Sequence, residues 1–180
     1  MSASPTKKLM LWELNRVSDE DFIAQKKFPL VLVLDSIRSL NNIGSFFRTA
    51  DAFNVELIYL CGITAQPPHR DIHKTALGAT ETIRWEYRAS LMAALDELKA
   101  RGYAICVVEQ AVETTLLQDV GELTAEGFAL VFGNEVDGVD QAALDRADHI
   151  IEIPQFGTKH SLNVSVCAGI VLWEFAKKYI

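Results

Sequence analysis

Three short segments of this 180-residue sequence place small and polar residues directly after apolar runs, where a ligand could be held. The first extends from Asp35 to Gly44 and leads into a segment with helical spacing that carries Arg48. Because Arg48 follows Gly44 by about one helical turn, its guanidinium could point back toward the loop. Gly44 would let the backbone or a ligand approach closely, although the spacing alone favours a structural role. In that role, Asn42 caps a helix and Arg48 lies on its surface.

The second segment comprises residues 132–139, where Gly133 and Gly138 bracket the pair Asn134–Glu135 directly after an apolar run. Glycine permits a tight turn and lets a ligand approach the backbone closely. The pattern therefore predicts either a loop that cradles a ligand or an ordinary acidic turn.

The third segment comprises residues 153–165, where an apolar run ends at Pro154 and polar residues enter a strongly apolar stretch. Ser161 could be the N-cap of the following helix. Asn163 and Ser165 are not explained in that way, because polar groups on a buried helix must find partners. This segment favours a functional interpretation.

The apolar runs between these segments predict an α/β fold. Leu30 to Asp35 is a continuous valine- and leucine-rich run, which is typical of a strand buried on both faces. The predicted strands are residues 30–35, 55–62, 81–87, 103–109, 128–133 and 149–154. The predicted helices are residues 19–27 with Ser18 as cap, 41–53, a short helix within 69–78, 90–101, 140–146 and 161–179. Alternating strands and helices predict a mostly parallel sheet with helices on both faces, and ligands bind at the carboxyl ends of such strands.

Several familiar sites are missing from the sequence. It contains no Gly-x-Gly, so neither the dinucleotide fingerprint nor the glycine-rich loop of the common methyltransferase fold is present. His69 and His73 have helical spacing but no evident third ligand, so we expect no metal site. Cys61, Cys106 and Cys167 lie in apolar runs, which predicts buried free thiols in a reducing compartment.

The charge of the chain is uneven. A net charge of −7 counts against binding to nucleic acid through bulk electrostatics. A local basic face is nevertheless possible, because arginines, lysine and histidines recur between Arg38 and Arg101; solvated arginines spread around the surface explain the same pattern. The basic residues of that stretch include Arg48, Arg70, Lys74, Arg84 and Arg88 with His69 and His73. We see no signal peptide and no apolar run long enough for a membrane, so we expect a cytoplasmic protein.

Taken together and in order, the three segments resemble the motifs of the SpoU/TrmH family of SPOUT RNA methyltransferases. Asn42-Ile43-Gly44 with Arg48-Thr49-Ala50 resembles the first motif, and Phe132-Gly133-Asn134-Glu135 with Gly138 resembles the second. Ile153-Pro154 with Gly157 and Ser161-Leu162-Asn163-Val164-Ser165 resembles the third. The resemblance extends from about Leu30 to the C-terminus.

The resemblance implies a C-terminal deep trefoil knot, S-adenosylmethionine as cofactor and transfer of its methyl group to a ribose 2′-hydroxyl of RNA. The cofactor-binding residues that it implies are Phe132, Gly133, Asn134, Gly138, Ile153, Pro154, Ser161 and Leu162. The catalytic residues that it implies are Arg48, Asn42, Glu135, Ser161 and Asn163, with Arg48 near the hydroxyl and its phosphate. It also implies a homodimer through the final helix, which is apolar nearly all round and therefore needs cover.

The second and third motifs each depart from the family pattern at one place. Val136 stands where relatives often have glycine, and Thr158-Lys159-His160 adds basic groups before Ser161. We expect a single domain over residues 1–180, in which 1–29 form a short extension and no separate RNA-binding domain is present. We expect tRNA as the substrate. The alternatives are ribosomal RNA, a base as the acceptor, a non-catalytic RNA-binding module, or a small-molecule enzyme that would suit the acidic composition.

Overall fold

The structure, a computed structural model, describes residues 6–180 apart from the side chain of Leu11. The first five residues of the predicted extension lie outside the described residues. The strands are β1 (Phe28–Asp35), β2 (Val55–Cys61), β3 (Trp85–Arg88), β4 (Tyr103–Val108), β5 (Thr115–Leu116), β6 (Gly127–Phe132) and β7 (His149–Glu152). The helices are α1 (Asp19–Ala24), α2 (Leu40–Ala52), α3 (Arg70–Ala76), α4 (Ala79–Thr82), α5 (Leu91–Ala100), α6 (Gln141–Leu144) and α7 (Val164–Ala176). Short 3-10 turns cover Leu11–Glu13, Leu117–Glu122 and Lys177–Tyr179.

The seven strands form one sheet in the order β3-β2-β1-β6-β4-β7-β5, and every pairing is parallel. Residues of β1 alternate between two hydrophobic clusters. Leu30, Leu32 and Leu34 pack with α2, α3 and α7 on one face, while Val31 and Val33 pack with α5 and α6 on the other. The predicted parallel α/β sheet with helices on both faces is therefore confirmed. The trefoil knot stays a prediction of the resemblance.

The hydrogen-bonding side chains at helix starts correct two predicted caps. Ser39, not Asn42, is the N-cap of α2, because its hydroxyl accepts from the backbone N–H of Asn42. Asn163, not Ser161, is the N-cap of α7, because its side-chain oxygen accepts from the N–H groups of Ser165 and Val166. Both corrections free the displaced residue for other contacts.

The predicted strand over residues 81–87 is wrong in its first half. Gly78, with a positive φ of 94°, starts the short helix α4, which buries Ala79 and Thr80. Strand geometry begins only at Trp85, where the sheet partner β2 is within reach. The sequence also gave no indication of β5 and the 3-10 turn after it, because two paired residues are too few to show an alternating pattern.

The cysteines divide into two environments. Cys61 and Cys106 are buried, as predicted, and burial raises the pKa of each thiol to about 12. Cys167 is only partly buried, which corrects the prediction for that residue.

Candidate active site

One large cleft opens where β4, β6 and β7 end at the carboxyl edge of the sheet. Its volume is about 680 Å³, within the range of about 300–1,000 Å³ that small-molecule sites usually have. Eight predicted site residues share this cleft with Glu135, another predicted catalytic residue. They are Phe132, Gly133, Asn134, Gly138, Ile153, Ser161, Leu162 and Asn163. Three others, Pro154, Asn42 and Arg48, do not line it.

The loop after β6 has a shape that excludes side chains at two positions. A Cβ on Gly133 would lie 2.1–2.3 Å from backbone atoms of Gly138 and Val139. Gly138 has a positive φ of 71°. The loop closes on itself because the side-chain oxygen of Asn134 accepts from the N–H groups at 136 and 137, each at 2.9 Å. The glycines therefore let the loop fold tightly on itself beside the cleft.

Glu109, directly after β4, is a cleft residue that the sequence analysis missed. Its carboxylate accepts hydrogen bonds from the backbone N–H of Val139 at 3.2 Å and of Gln110 at 2.9 Å. A Cβ on Gly138 would lie 2.4 Å from the same carboxylate. Glu109 thus holds the second motif loop against β4. Its position at the carboxyl end of a buried strand was the available signal.

Asn42 joins the three motifs, although its partners lie up to 123 positions away in the chain. Its amide nitrogen donates to Glu135 Oε1 at 2.9 Å. Its side-chain oxygen accepts from Asn163 Nδ2 at 3.3 Å and from the Ser165 hydroxyl at 3.4 Å. The polar groups at the start of α7 therefore find partners on α2, as the sequence analysis required.

Glu135 ties the second motif to the start of α2. Its two carboxylate oxygens accept from the backbone N–H groups of Arg38 and Ser39, each at 3.3 Å, in addition to Asn42. Partial burial alone would raise the pKa of Glu135, but these hydrogen bonds to the charged form outweigh it, so the pKa lies below its ordinary value. Glu135 is thus a carboxylate at neutral pH.

Arg48 lies elsewhere, and the expectation that it points back toward its loop is wrong for the single chain. It is exposed on α2 and lines a separate cavity of about 260 Å³ with Leu77 and Gly78. Within residues 6–180 its guanidinium has no hydrogen bond or ion pair. The orientation of α2 about its own axis explains this. The face of α2 that carries Thr49 packs against Gly169 of α7, so Arg48 lies on a different face.

The basic residues of the Arg38–Arg101 stretch separate into two groups. Arg84 and Arg88 pair with Glu86 at the sheet edge, so their charge is locally compensated. Arg70 and Lys74 are exposed on α3, beside α2, and form no ion pair within the described residues. The basic residues of this stretch that lack an ion pair within the described residues therefore lie on α2 and α3.

Residues 6–180 contain neither a metal-ligand cluster nor a membrane-spanning helix. No group of three or more histidine, cysteine or acidic side chains is arranged as a metal site there. His69 instead caps α3 by accepting from the N–H of Asp71. None of the described helices has the length and apolar character needed to cross a membrane.

Comparison with known proteins identifies the family. Residues 29–173 match the SpoU rRNA Methylase family. The chain belongs to this family. A 23S rRNA (guanosine-2'-O-)-methyltransferase, RlmB from Neisseria meningitidis, is 34% identical over 167 residues, which cover 92% of this chain and 66% of that protein. The chain thus spans 66% of the length of this curated relative.

Solved structures agree with the fold of this SpoU family member. A TrmH/SpoU tRNA modifying enzyme from A. aeolicus has a TM-score of 0.78 and 26% identity, covering 89% of this chain and 80% of that one. An AdoMet-bound rRNA methyltransferase from Sinorhizobium meliloti has a TM-score of 0.79 and 24% identity, covering 86% of this chain and 58% of that one. The latter likeness concerns the fold alone.

Proposed function

We propose that this SpoU family protein transfers a methyl group from S-adenosylmethionine to a ribose 2′-hydroxyl of RNA. The observation that carries the proposal is the meeting of three distant motifs at Asn42, beside the cleft at the carboxyl edge of the sheet. Family membership and the 2′-O-methyltransferase name of the N. meningitidis relative support the same reaction. The reaction belongs in the cytoplasm under this proposal.

The second and third motif loops suit S-adenosylmethionine. Gly133 and Gly138 let the second motif loop pack tightly on itself and against Glu109, so that its backbone lines the cleft where the cofactor would bind. Ser161 and Leu162 would cover the opposite side of the cleft. When bound, this cofactor supplies an electrophilic methyl group, so the protein has to position and deprotonate the hydroxyl that receives it.

The residues around Asn42 would orient the ribose. Ser161 has a free hydroxyl in the cleft, and Asn163 lies next to it on the Asn42 network. Glu135 would keep the first motif in place rather than accept the proton, because its carboxylate is already engaged by three donors. An arginine is a poor general base, so Arg48 would bind the phosphate next to the ribose and polarise the hydroxyl, while an oxygen of that phosphate accepts the hydroxyl proton as the methyl group is transferred.

We further propose that the active protein is a homodimer and that Arg48 acts in the cleft only after dimerisation. Val166, Ile170 and Trp173 form an exposed apolar stripe on α7, with exposed fractions of 54%, 39% and 49%. α7 packs against α2, the helix that carries Arg48. A second copy on the stripe would therefore lie close to Arg48, which its own cleft leaves unused.

The substrate class rests on the named relatives. The 23S rRNA names favour ribosomal RNA over the tRNA that the sequence analysis expected. The tRNA modifying enzyme from A. aeolicus keeps tRNA as the second RNA to examine. We therefore propose ribosomal RNA as the first candidate.

Two measurements test the proposed function. Calorimetry should detect S-adenosylmethionine binding that a chelator leaves unchanged. Mapping of 2′-O-methyl groups in total RNA, with and without the gene, should reveal one site that disappears, and purified protein should restore it. Absence of binding heat in every buffer, or an unchanged methylation map, would reject the proposal.

The dimeric site has its own test. Arg48→Ala and Ser161→Ala proteins should each be inactive alone, whereas a mixture should regain part of the activity, because one cleft of the mixed dimer receives both intact residues. A mixture without activity, despite confirmed exchange of subunits, would place Arg48 and Ser161 in the same chain's site.

A further inference from the structure

The loop of residues 155–160 presents an aromatic side chain entirely to solvent at the mouth of the cleft. Phe156 is 97% exposed, more than any other aromatic side chain in the described part of the chain. Gln155 before it and Ser161 after it both line the cleft. Five residues of chain span at most about 18 Å, so Phe156 stays within that distance of Ser161.

The C-terminal end of this loop is hydrogen-bonded to the rest of the protein, while its tip is exposed to solvent. Gln110 donates its side-chain N–H to the backbone carbonyl of His160 at 3.2 Å, which ties the loop to the end of β4. Gly157, next to Phe156, has no atom within 4 Å of its Cβ position. Phe156 therefore stands on an anchored loop without being packed against the protein.

Positive charge accompanies this aromatic ring in an otherwise acidic surrounding. Lys159 and His160 are exposed and form no ion pair within residues 6–180. The cleft itself contains several carboxylates and no lysine or arginine. These carboxylates belong to Glu109, Glu135, Asp137 and Glu152. A polyanion could therefore approach this mouth of the cleft most favourably along residues 155–160.

We propose that Phe156 stacks on an unpaired base of the RNA next to the ribose that enters the cleft, while Lys159 contacts the adjacent phosphate. Exposed aromatic rings flanked by cations are the usual means of holding single-stranded RNA, since every base has a flat face. The inference rests on the proposed function and adds that the methylated nucleotide lies in an unpaired segment. A duplex would not offer its stacked bases to Phe156.

The competing role for Phe156 is a lid over S-adenosylmethionine. A lid would contribute to cofactor affinity, whereas a base platform would not. Binding of cofactor and of RNA must therefore be measured separately on the same variants.

The experiment compares wild type, Phe156→Ala, Phe156→Tyr and the control Val112→Ala. Val112 is a fully exposed apolar residue that does not line the cleft. The probes are a short fluorescein-labelled single-stranded RNA of mixed sequence, the same RNA annealed to its complement, and S-adenosylmethionine alone. Fluorescence anisotropy at low salt gives the Kd for RNA, and calorimetry gives the Kd for the cofactor.

We expect Phe156→Ala to raise the Kd for single-stranded RNA at least about fivefold, the lower end for loss of one stacked base. Phe156→Tyr and Val112→Ala should match wild type, the duplex should bind all four proteins alike, and the cofactor Kd should not change. A weaker cofactor Kd in Phe156→Ala would establish a lid. Equal loss for both RNAs, no loss, or no binding of the probe by wild type would overturn the proposal.

Failure of the proposed function would look different. Wild type would then bind single-stranded RNA through Phe156 but show no cofactor binding and no methyl transfer.

Discussion

At the scale of single residues, structural and functional roles coincide in the motif side chains. Asn163 caps α7 with its oxygen and reaches Asn42 with its nitrogen. Glu135 accepts three hydrogen bonds that fix the start of α2. Substitutions at these positions will therefore change both stability and activity, and measurements have to separate the two.

Substitution of Arg48 should separate an effect on activity from an effect on stability most clearly. We expect Arg48→Ala to lower kcat at least about 100-fold, the usual minimum for loss of a group that assists proton transfer. Thermal stability and the Kd for S-adenosylmethionine should stay at wild-type values, because Arg48 is exposed and lines neither the cleft nor the core.

Arg84→Ala is the matched control for Arg48→Ala, since Arg84 is a surface arginine that pairs only with Glu86. It should keep full activity. If the Arg48→Ala protein has the wild-type kcat, Arg48 has no catalytic role. If its melting temperature is lower than that of wild type, Arg48 has a structural role.

Glu135 should make stability depend on pH. We expect Glu135→Gln to lower the free energy of unfolding by about 1 kcal/mol at pH 7, because an amide cannot accept from Arg38 N–H and Ser39 N–H on both of its terminal atoms. The pKa of Glu135 is lowered in the folded state, so its contribution is complete above the ordinary glutamate pKa of about 4.3. The contribution disappears as pH falls through the lower folded value.

Urea unfolding of both proteins at pH 7 and at progressively lower pH measures this difference. The gap between wild type and Glu135→Gln should stay constant down to about pH 4.3 and then shrink. A gap that grows on acidification would contradict the assigned hydrogen bonds.

At the scale of elements, the close packing of helices explains Gly44 without a ligand. A Cβ there would lie 2.0 Å from Thr75 Oγ1 and 2.3 Å from the backbone carbonyl of Ile72. The Thr75 hydroxyl donates to the carbonyl of Asn41, which joins α3 to the first turn of α2. The glycine of the first motif thus allows α3 to support the helix that carries Asn42.

Gly44→Ala should therefore destabilise the protein by about 1–3 kcal/mol, the usual cost of overpacking. Gly169→Ala is the matched control on α7, where the nearest atom to a Cβ, Thr49 Cγ2, is 4.0 Å away. It should be neutral or stabilise by up to about 1 kcal/mol, because alanine favours a helix over glycine. Chemical denaturation measures the free energy of unfolding of both variants. Equal changes in the two variants would contradict the packing argument.

At the scale of the whole molecule, the apolar stripe of α7 is the feature that a single chain leaves unsatisfied. The buried side of α7, which includes Val171, Leu172 and Phe175, packs in the core. Its other side exposes Val166, Ile170 and Trp173. A helix that is apolar on all sides needs more cover than a single chain supplies, and the proposed dimer would provide it.

Light scattering tests this proposal. Wild type should have about twice the chain mass of 20.0 kDa, and Ile170→Glu should shift it toward the monomer, because a charge in an apolar interface is costly. The control Ile63→Glu changes an isoleucine that is 67% exposed after β2 and should remain dimeric. A monomeric wild type at micromolar concentration would argue against the dimer and against its composite site.

The sequence by itself determined most of the elements and the second and third segments of the cleft. Continuous apolar runs such as Leu30–Leu34 specify buried strands, because only such residues can face helices on both sides. Carboxyl ends of parallel strands meet at one edge, so the second and third segments were expected together, and both line the cleft. Sequence patterns predict these strands and loops because strand formation depends largely on residues that are neighbours in the chain.

Only the tertiary structure decided which side chains meet. The N-caps are Ser39 instead of Asn42 and Asn163 instead of Ser161. Which residue caps a helix depends on the angle at which the chain enters that helix, and this angle is set by the fold. The contact between Asn42 and Asn163 spans 121 positions, and Glu109 joins the cleft through the backbone of Val139. Arg48 was placed outside the cleft of its own chain by the packing of α2 on α7. Such contacts arise from the relative orientation of whole elements, which no spacing along the chain encodes.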